Sequence, residues 1–125
     1  MIYRKPRILV VVDEYRVRVP LITLFSRDFD LIAATNGSQA QRQFIRHGPA
    51  LVAIVIGDLL AAELNGRLSV DTAPALVSRF RRTFPLPIIG LANTEAGREQ
   101  LRRAGCAPVC GVPSLPRTLQ QVLQA

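Results

Sequence analysis

One lysine, one histidine, two cysteines and no tryptophan occur in 125 residues, and each scarcity excludes something. With His47 alone, no Ser-His-Asp or Cys-His arrangement is evident. Its place at the end of a helical stretch suits an imidazolium facing the helix dipole. Cys106 and Cys110 form a lone C-x3-C around Ala107-Pro108-Val109, without the second pair or the accompanying histidines of a zinc site. All three residues are read as structural. No apolar run approaches the ~20 residues that span a bilayer, so no membrane partner is expected. Met1-Ile2-Tyr3-Arg4-Lys5-Pro6 is not followed by the apolar stretch of a signal peptide, and a cytoplasmic protein is expected. Neither G-x-G-x-x-G nor G-x-x-x-x-G-K-[ST] follows a strand, so a nucleotide-binding or flavodoxin-like enzyme domain has no motif behind it. The expectation is that the chain is not an enzyme.

Positive charge is abundant. The formal net charge is +7, carried by fifteen arginines and the single Lys5. Such a balance favours acidic partners or nucleic acid through the field of the whole molecule. The arginines are scattered along the chain rather than gathered in one stretch, so nucleic-acid binding by this domain is not expected. Apolar residues make up 49% of the chain, enough at this length for one core and a single domain, 1–125.

Short apolar runs alternate with helical stretches, the pattern of a parallel sheet covered on both faces. Strands are expected over 7–12, 30–34, 51–56, 87–91 and 109–112. The run Leu51 to Ile56 is nearly all aliphatic, as a strand buried on both faces should be. Helices are expected within 15–27, where Pro20 is awkward, and over 39–47, 73–83, 95–104 and 115–124. Asn36-Gly37 reads as a turn, Ser38, Thr72 and Ser114 as caps, and Gly48-Pro49 and Gly105 as stops. A long loop is expected from Asp58 to Asp71, and Glu99–Arg103 is an i,i+4 ion pair. The predicted architecture is a flavodoxin-like three-layer (βα)5 sandwich with strand order 2-1-3-4-5.

The first strand runs into Asp13-Glu14, and the third ends in Gly57-Asp58. Open α/β sheets bind ligands at the carboxyl edge, and three carboxylates gathered there invite a divalent cation such as Mg²⁺. The last strand closes in Val112-Pro113 and brings no cation to that edge.

From Arg7 to Leu123 the residues resemble the receiver domain of bacterial response regulators. Ile8-Leu9-Val10-Val11-Val12-Asp13-Glu14 is similar to the family's I-L-V-V-D-D strand, with Val12 replacing the first acid. Asn36-Gly37 matches its N-G turn, Asp58 to Gly66 its acceptor-to-glycine spacing, and Arg103-Ala104-Gly105-Cys106-Ala107 its A-G-A segment. The resemblance implies Asp58 as phosphoacceptor and Mg²⁺ held by Asp13, Glu14 and Asp58. Counting forward from Asn36-Gly37 puts the acceptor at Val55 instead. A three-residue extension before or within the strand reconciles the two counts, and Asp58 is the preferred candidate. The resemblance also implies a Ser or Thr where Ala92 stands and a phosphoryl-pairing Lys where Val112 stands. Those replacements, with Val12, mark a degenerate receiver that works as an interaction and regulatory module in a two-component system. The alternative is a working receiver phosphorylated on Asp58 with Mg²⁺. The implied interaction face carries Arg98, Arg102, Arg103, Val109 and Leu115. It would meet a protein partner (a histidine kinase, an output domain or another effector) or a second copy of the chain. The chain ends where a receiver's fifth helix should, as a fragment of a longer regulator also would.

Overall fold

Aliphatic runs with few polar interruptions satisfy their backbone groups by pairing side by side, and five of them do so here. The computed structural model describes residues 5–12, 23, 26–57, 63–64, 67–68 and 73–123. The strands are β1 (Arg7–Val11), β2 (Asp30–Ala34), β3 (Leu51–Gly57), β6 (Ile88–Leu91) and β7 (Val109–Cys110). They form one parallel sheet in the order β2-β1-β3-β6-β7. That is the predicted 2-1-3-4-5 order of the flavodoxin-like fold. The helices are α1 (Gly37–His47), α2 (Ala73–Arg81), α3 (Glu95–Ala104) and α4 (Leu115–Leu123). The helix expected within 15–27, the cap at Thr72, and the candidate carboxylates Asp13, Glu14 and Asp58 lie outside the described residues.

Period-two alternation sends the strand side chains into two layers. Leu9 and Val11 of β1 join Ile54 and Ile56 of β3 beneath α1, α2 and α3, where Phe80 and Leu101 pack. Ile8, Val10 and Val12 join Val55 and Ile89 on the other face, closed by Leu115 and Leu119 of α4. Each fully buried aliphatic side chain contributes about 1.5–3 kcal/mol by leaving water. Phe44 of α1 stacks on Phe80 with ring centroids 4.6 Å apart and meets Phe84 edge-on at 5.8 Å, tying α1 to α2.

Gly90 lets α3 lie close on β6. A Cβ there would come within 3.0 Å of Leu101 Cδ1 and 3.2 Å of Cys106 Cβ. Gly105 ends α3 at φ +123°, a conformation that side chains disfavour. The Ala107–Pro108 peptide bond is cis.

Several local expectations are corrected. Helix α1 begins at Gly37 and is capped by Asn36, not Ser38: the Asn36 side chain accepts from Gln39 N at 2.9 Å. Gln39 Oε1 reaches back to the Thr35 amide, also at 2.9 Å, so Asn-x-x-Gln satisfies two donors reciprocally. A 3-10 turn over Gly48–Ala50 separates α1 from β3. β3 also holds one extra residue, since Arg7 pairs with Leu51 and Ile8 with Ala53. The segment expected as loop contains an antiparallel ladder of β4 (Glu63–Leu64) and β5 (Arg67–Leu68). Asn65-Gly66 between them is the sequence signature of a two-residue hairpin. β7 stops at Cys110, two residues early. A 3-10 turn over Val112–Ser114 follows, where Pro113 has no N–H to donate to a ladder. Ser114 closes that turn, and its carbonyl accepts from Thr118 Oγ1 at 2.9 Å.

Candidate functional site at the carboxyl edge of the sheet

Strand register defines the edge row by row. Val55 pairs with Val10 and Ile89, so it lies inside the sheet and is 1% exposed. Gly57, Leu91 and Cys110 form one row across β3, β6 and β7. The next residues along these strands are Asp58, Ala92 and Gly111. On the β1 side, the Val12 amide donates to the Ala34 carbonyl at 3.1 Å, which prolongs the ladder toward β2 by one residue.

The described side chains at this edge are aliphatic where the resemblance implies polar groups. Val12 is buried in the layer under α4, with its Cγ2 3.8 Å from where a Gly57 side chain would begin. Ala92 is buried in the opposite layer. Val112 is half-buried at the start of the 3-10 turn. None of the three can donate to a phosphoryl oxygen or ligate a metal through its side chain. Among the described residues no group of three His, Cys, Asp or Glu side chains can hold a metal ion.

Positive charge reaches the edge from a helix rather than from the last strand. Thr94 caps α3 by accepting from Gly97 N at 3.1 Å, and Arg98 follows one turn later. Arg98 Nε donates to the Ala92 carbonyl at 3.0 Å, and Nη1 stands 3.5 Å from Glu95 Oε2. Nη2 lies 3.5 Å from where a Gly111 Cβ would be, and Asn93 Oδ1 lies 3.6 Å from the same point. The Ala92 amide donates to Cys110 O at 3.0 Å. In a parallel ladder the carbonyl of that residue faces the same neighbour, and the next donor would be the Val112 amide. With β7 ending at Cys110, Arg98 takes up the carbonyl instead. The sequence signal was an arginine one turn into a helix that follows an edge strand, but its reach depends on how closely α3 packs at Gly90.

The predicted interaction face divides. Arg102 and Arg103 are exposed, and both donate to Glu99, at 2.7 and 3.1 Å. These hydrogen bonds hold the Glu99 carboxyl below its ordinary range. Val109 is half-buried against the core. Leu115 is corrected: at 1% exposure it is a core residue, because the 3-10 turn aims the first residue of α4 at the sheet. The cysteines remain free thiols, and burial pushes Cys106 up to about 12, which disfavours the thiolate that a metal needs.

The amino end of the sheet has a different character. Arg7 Nε donates to Asp30 at 2.8 Å, its Nη1 lies 3.3 Å from His47 Nδ1, and Lys5 Nζ donates to Ser26 O at 3.0 Å. An open cavity of about 610 Å³ is lined there by Lys5, Arg7, Phe29 and Asp30 among others. No helix among the described residues is long and apolar enough to cross a membrane.

No protein-family model matches the sequence, and no curated protein matches it. Solved structures do. The receiver domain of a sensor histidine kinase from Pseudomonas aeruginosa, solved with magnesium coordinated in its active-site cleft, is similar at TM-score 0.76 and 21% identity over 98% of this chain and 100% of that one. A two-component response regulator from Clostridium difficile is similar at TM-score 0.76 and 14% identity, covering 96% and 97%. The receiver domain of a Saccharomyces cerevisiae response regulator, solved with its histidine phosphotransfer signalling protein, is similar at TM-score 0.70 and 16% identity, covering 98% and 89%. The chain has the receiver fold.

Proposed function

We infer that this chain is a degenerate receiver: a regulatory module of two-component signalling that acts by protein contact. The observation that carries this reading is the aliphatic carboxyl edge. Val12, Ala92 and Val112 stand where a metal-binding acid, a hydroxyl and an ammonium would convert phosphate into movement. A conformational change requires groups that interact differently with the two states, and these side chains offer phosphate no such interaction. The partner is a protein (a histidine kinase, an output domain or another effector), in keeping with the phosphotransfer protein bound to the yeast neighbour. Arg102 and Arg103, exposed on α3, are the residues proposed to meet it, and a homodimer through the same helix is the other arrangement they fit. The module is a signalling domain and not an enzyme, and it is proposed to work in the cytoplasm.

A second reading keeps the chemistry. Asp58 directly follows Gly57, whose row lies at the carboxyl edge, and Val55 is buried inside the sheet. The register thus supports Asp58 as the acceptor, with Mg²⁺ held by Asp13, Glu14 and Asp58. Bound there, Mg²⁺ would neutralise charge on a transferring phosphoryl group.

Incubation with acetyl phosphate and Mg²⁺, followed by intact-mass measurement and amide spectra of α3, β7 and α4, separates the two. The degenerate reading expects those amides to stay in place. A stoichiometric phosphoryl adduct that Asp58→Ala abolishes, together with movement of that face, would establish the second reading.

A further inference from the structure

We propose that a groove at the amino end of the sheet, where α1 leads into β3 and α2 into β6, docks an acidic segment of another protein through an apolar anchor residue. This surface goes beyond the degenerate-receiver reading, whose partner meets α3, and neither depends on the other.

The apolar centre comes first. The large apolar side chains exposed among the described residues are Ile45, at 80%, and Leu86, at 44%. Both line one groove of about 430 Å³, together with Phe44, Pro49, Phe84 and Pro85. Ala40 and Phe44 stand one turn apart on the core side of α1, and Ile45 lies one position further round, off that stripe. Single exposed aliphatics are ordinary. Two that converge on one concavity mark a place that accepts an apolar group.

The groove is built before anything enters it. Phe84 meets Phe44 edge-on, and the Phe44 ring lies on Phe80, so the floor is fixed. Arg81 Nη1 donates to Phe84 O at 3.1 Å and to Leu86 O at 2.6 Å, and prolines flank Leu86 on both sides. Leu86 is thereby held at the rim, and little ordering entropy remains to be lost on binding.

Charge selects the occupant. From Asn36 to Ala50 and from Ala73 to Pro87 there is no Asp or Glu, so both walls lack acids. Arg42 and Arg46 stand exposed on α1 around Ile45, and exposed Arg82 precedes Thr83 at the opposite wall. No ion pair to these three occurs among the described residues, whereas Arg7 is paired with Asp30, and Arg102 and Arg103 with Glu99. A second copy docking by the same face would set arginine against arginine, which disfavours a symmetric dimer. A nucleic acid would leave Ile45 and Leu86 without an apolar partner, and a lipid surface needs apolar side chains that project rather than line a concavity. An acidic protein segment meets the arginines while its apolar residue fills the centre.

Panning a phage library of random short peptides on the immobilised full chain tests this, with the enriched peptides then titrated into ¹³C-methyl-labelled protein. The expected result is acidic peptides with a large apolar residue that shift the Ile45 and Leu86 methyl resonances saturably. Ile45→Ser and Leu86→Ser should each weaken such a peptide about tenfold. Arg46→Glu, which leaves the apolar centre intact, should weaken it about fivefold and lessen its salt dependence. No enrichment, peptides without an acidic bias, or peptides that leave both methyls unmoved would overturn the inference. So would phosphatidylglycerol vesicles or a single-stranded oligonucleotide moving those methyls where no peptide does, which would assign the groove to a lipid surface or a nucleic acid. The wild-type methyl shifts decide each case, whether or not a variant folds.

Discussion

Arg81 and Arg98 grip backbone carbonyls at opposite ends of β6, and they use the same fork differently. Arg81, at the end of α2, bonds Phe84 O at 3.1 Å, Leu86 O at 2.6 Å and Gly105 O at 3.0 Å. Its donors are spread over the connection into β6 and the stop of α3. Arg98 gives one such bond, to Ala92, and turns Nη1 toward Glu95 and Nη2 toward Gly111. A guanidinium that spends its donors on carbonyls is a brace. One that spends a single donor is held in place and still has hydrogen bonds to give.

Both arginines depend on α3 being seated on β6 by the close approach at Gly90. Gly90→Val should remove the seat and lower stability by about 3 kcal/mol, the upper part of the usual range for overpacking, as read from urea denaturation. Arg81→Ala should cost about 2 kcal/mol, since several carbonyls lose a charged donor at once. A loss as small as that of an ordinary surface substitution would mean that Arg81 is no brace. Arg98→Gln should cost only about 0.5 kcal/mol, because one carbonyl at the sheet margin can be taken up by water. A loss equal to that of Arg81→Ala would make Arg98 a brace as well.

Glu99 provides the smallest effect and a sign. Hydrogen bonds from Arg102 and then Arg103 hold its carboxyl below the ordinary 4.5 in the folded chain. Its contribution is therefore present above that value and is lost as pH falls through the folded value. Glu99→Gln should flatten the dependence of melting temperature on pH in that acid window and leave neutral pH almost unchanged. An unchanged acid slope would show that the exposed pairs do not persist in solution.

Much of this fold was legible because its signals are local. The apolar run closed by Asn36-Gly37 marked β2 at Asp30–Ala34, and Gly105 marked the end of α3. The sheet order followed from the alternation of strands and helices. Other features needed information that no short window carries. Asn36 caps α1 because Gln39 reaches back one turn, whereas Ser38 is an equally good cap by type alone. Leu115 looked like an exposed apolar residue on a helix. The 3-10 turn before it sets its direction, and that turn depends on where β7 stops. Arg98 lay within a list of exposed arginines until the packing of α3 on β6 brought it to Ala92. At the edge itself, the aliphatic replacements Val12, Ala92 and Val112 could be read by alignment, while the cation arriving from a neighbouring helix could not.

A degenerate receiver differs from a working one in whether its carboxyl edge passes a phosphoryl event to the face that meets partners. One ¹⁵N correlation spectrum with and without saturating beryllium fluoride, a phosphoryl mimic, and Mg²⁺ tests this directly. The amides of Arg102, Arg103 and α4 should stay at their unliganded positions. Movement of those amides would contradict the degenerate reading and show a receiver that still switches.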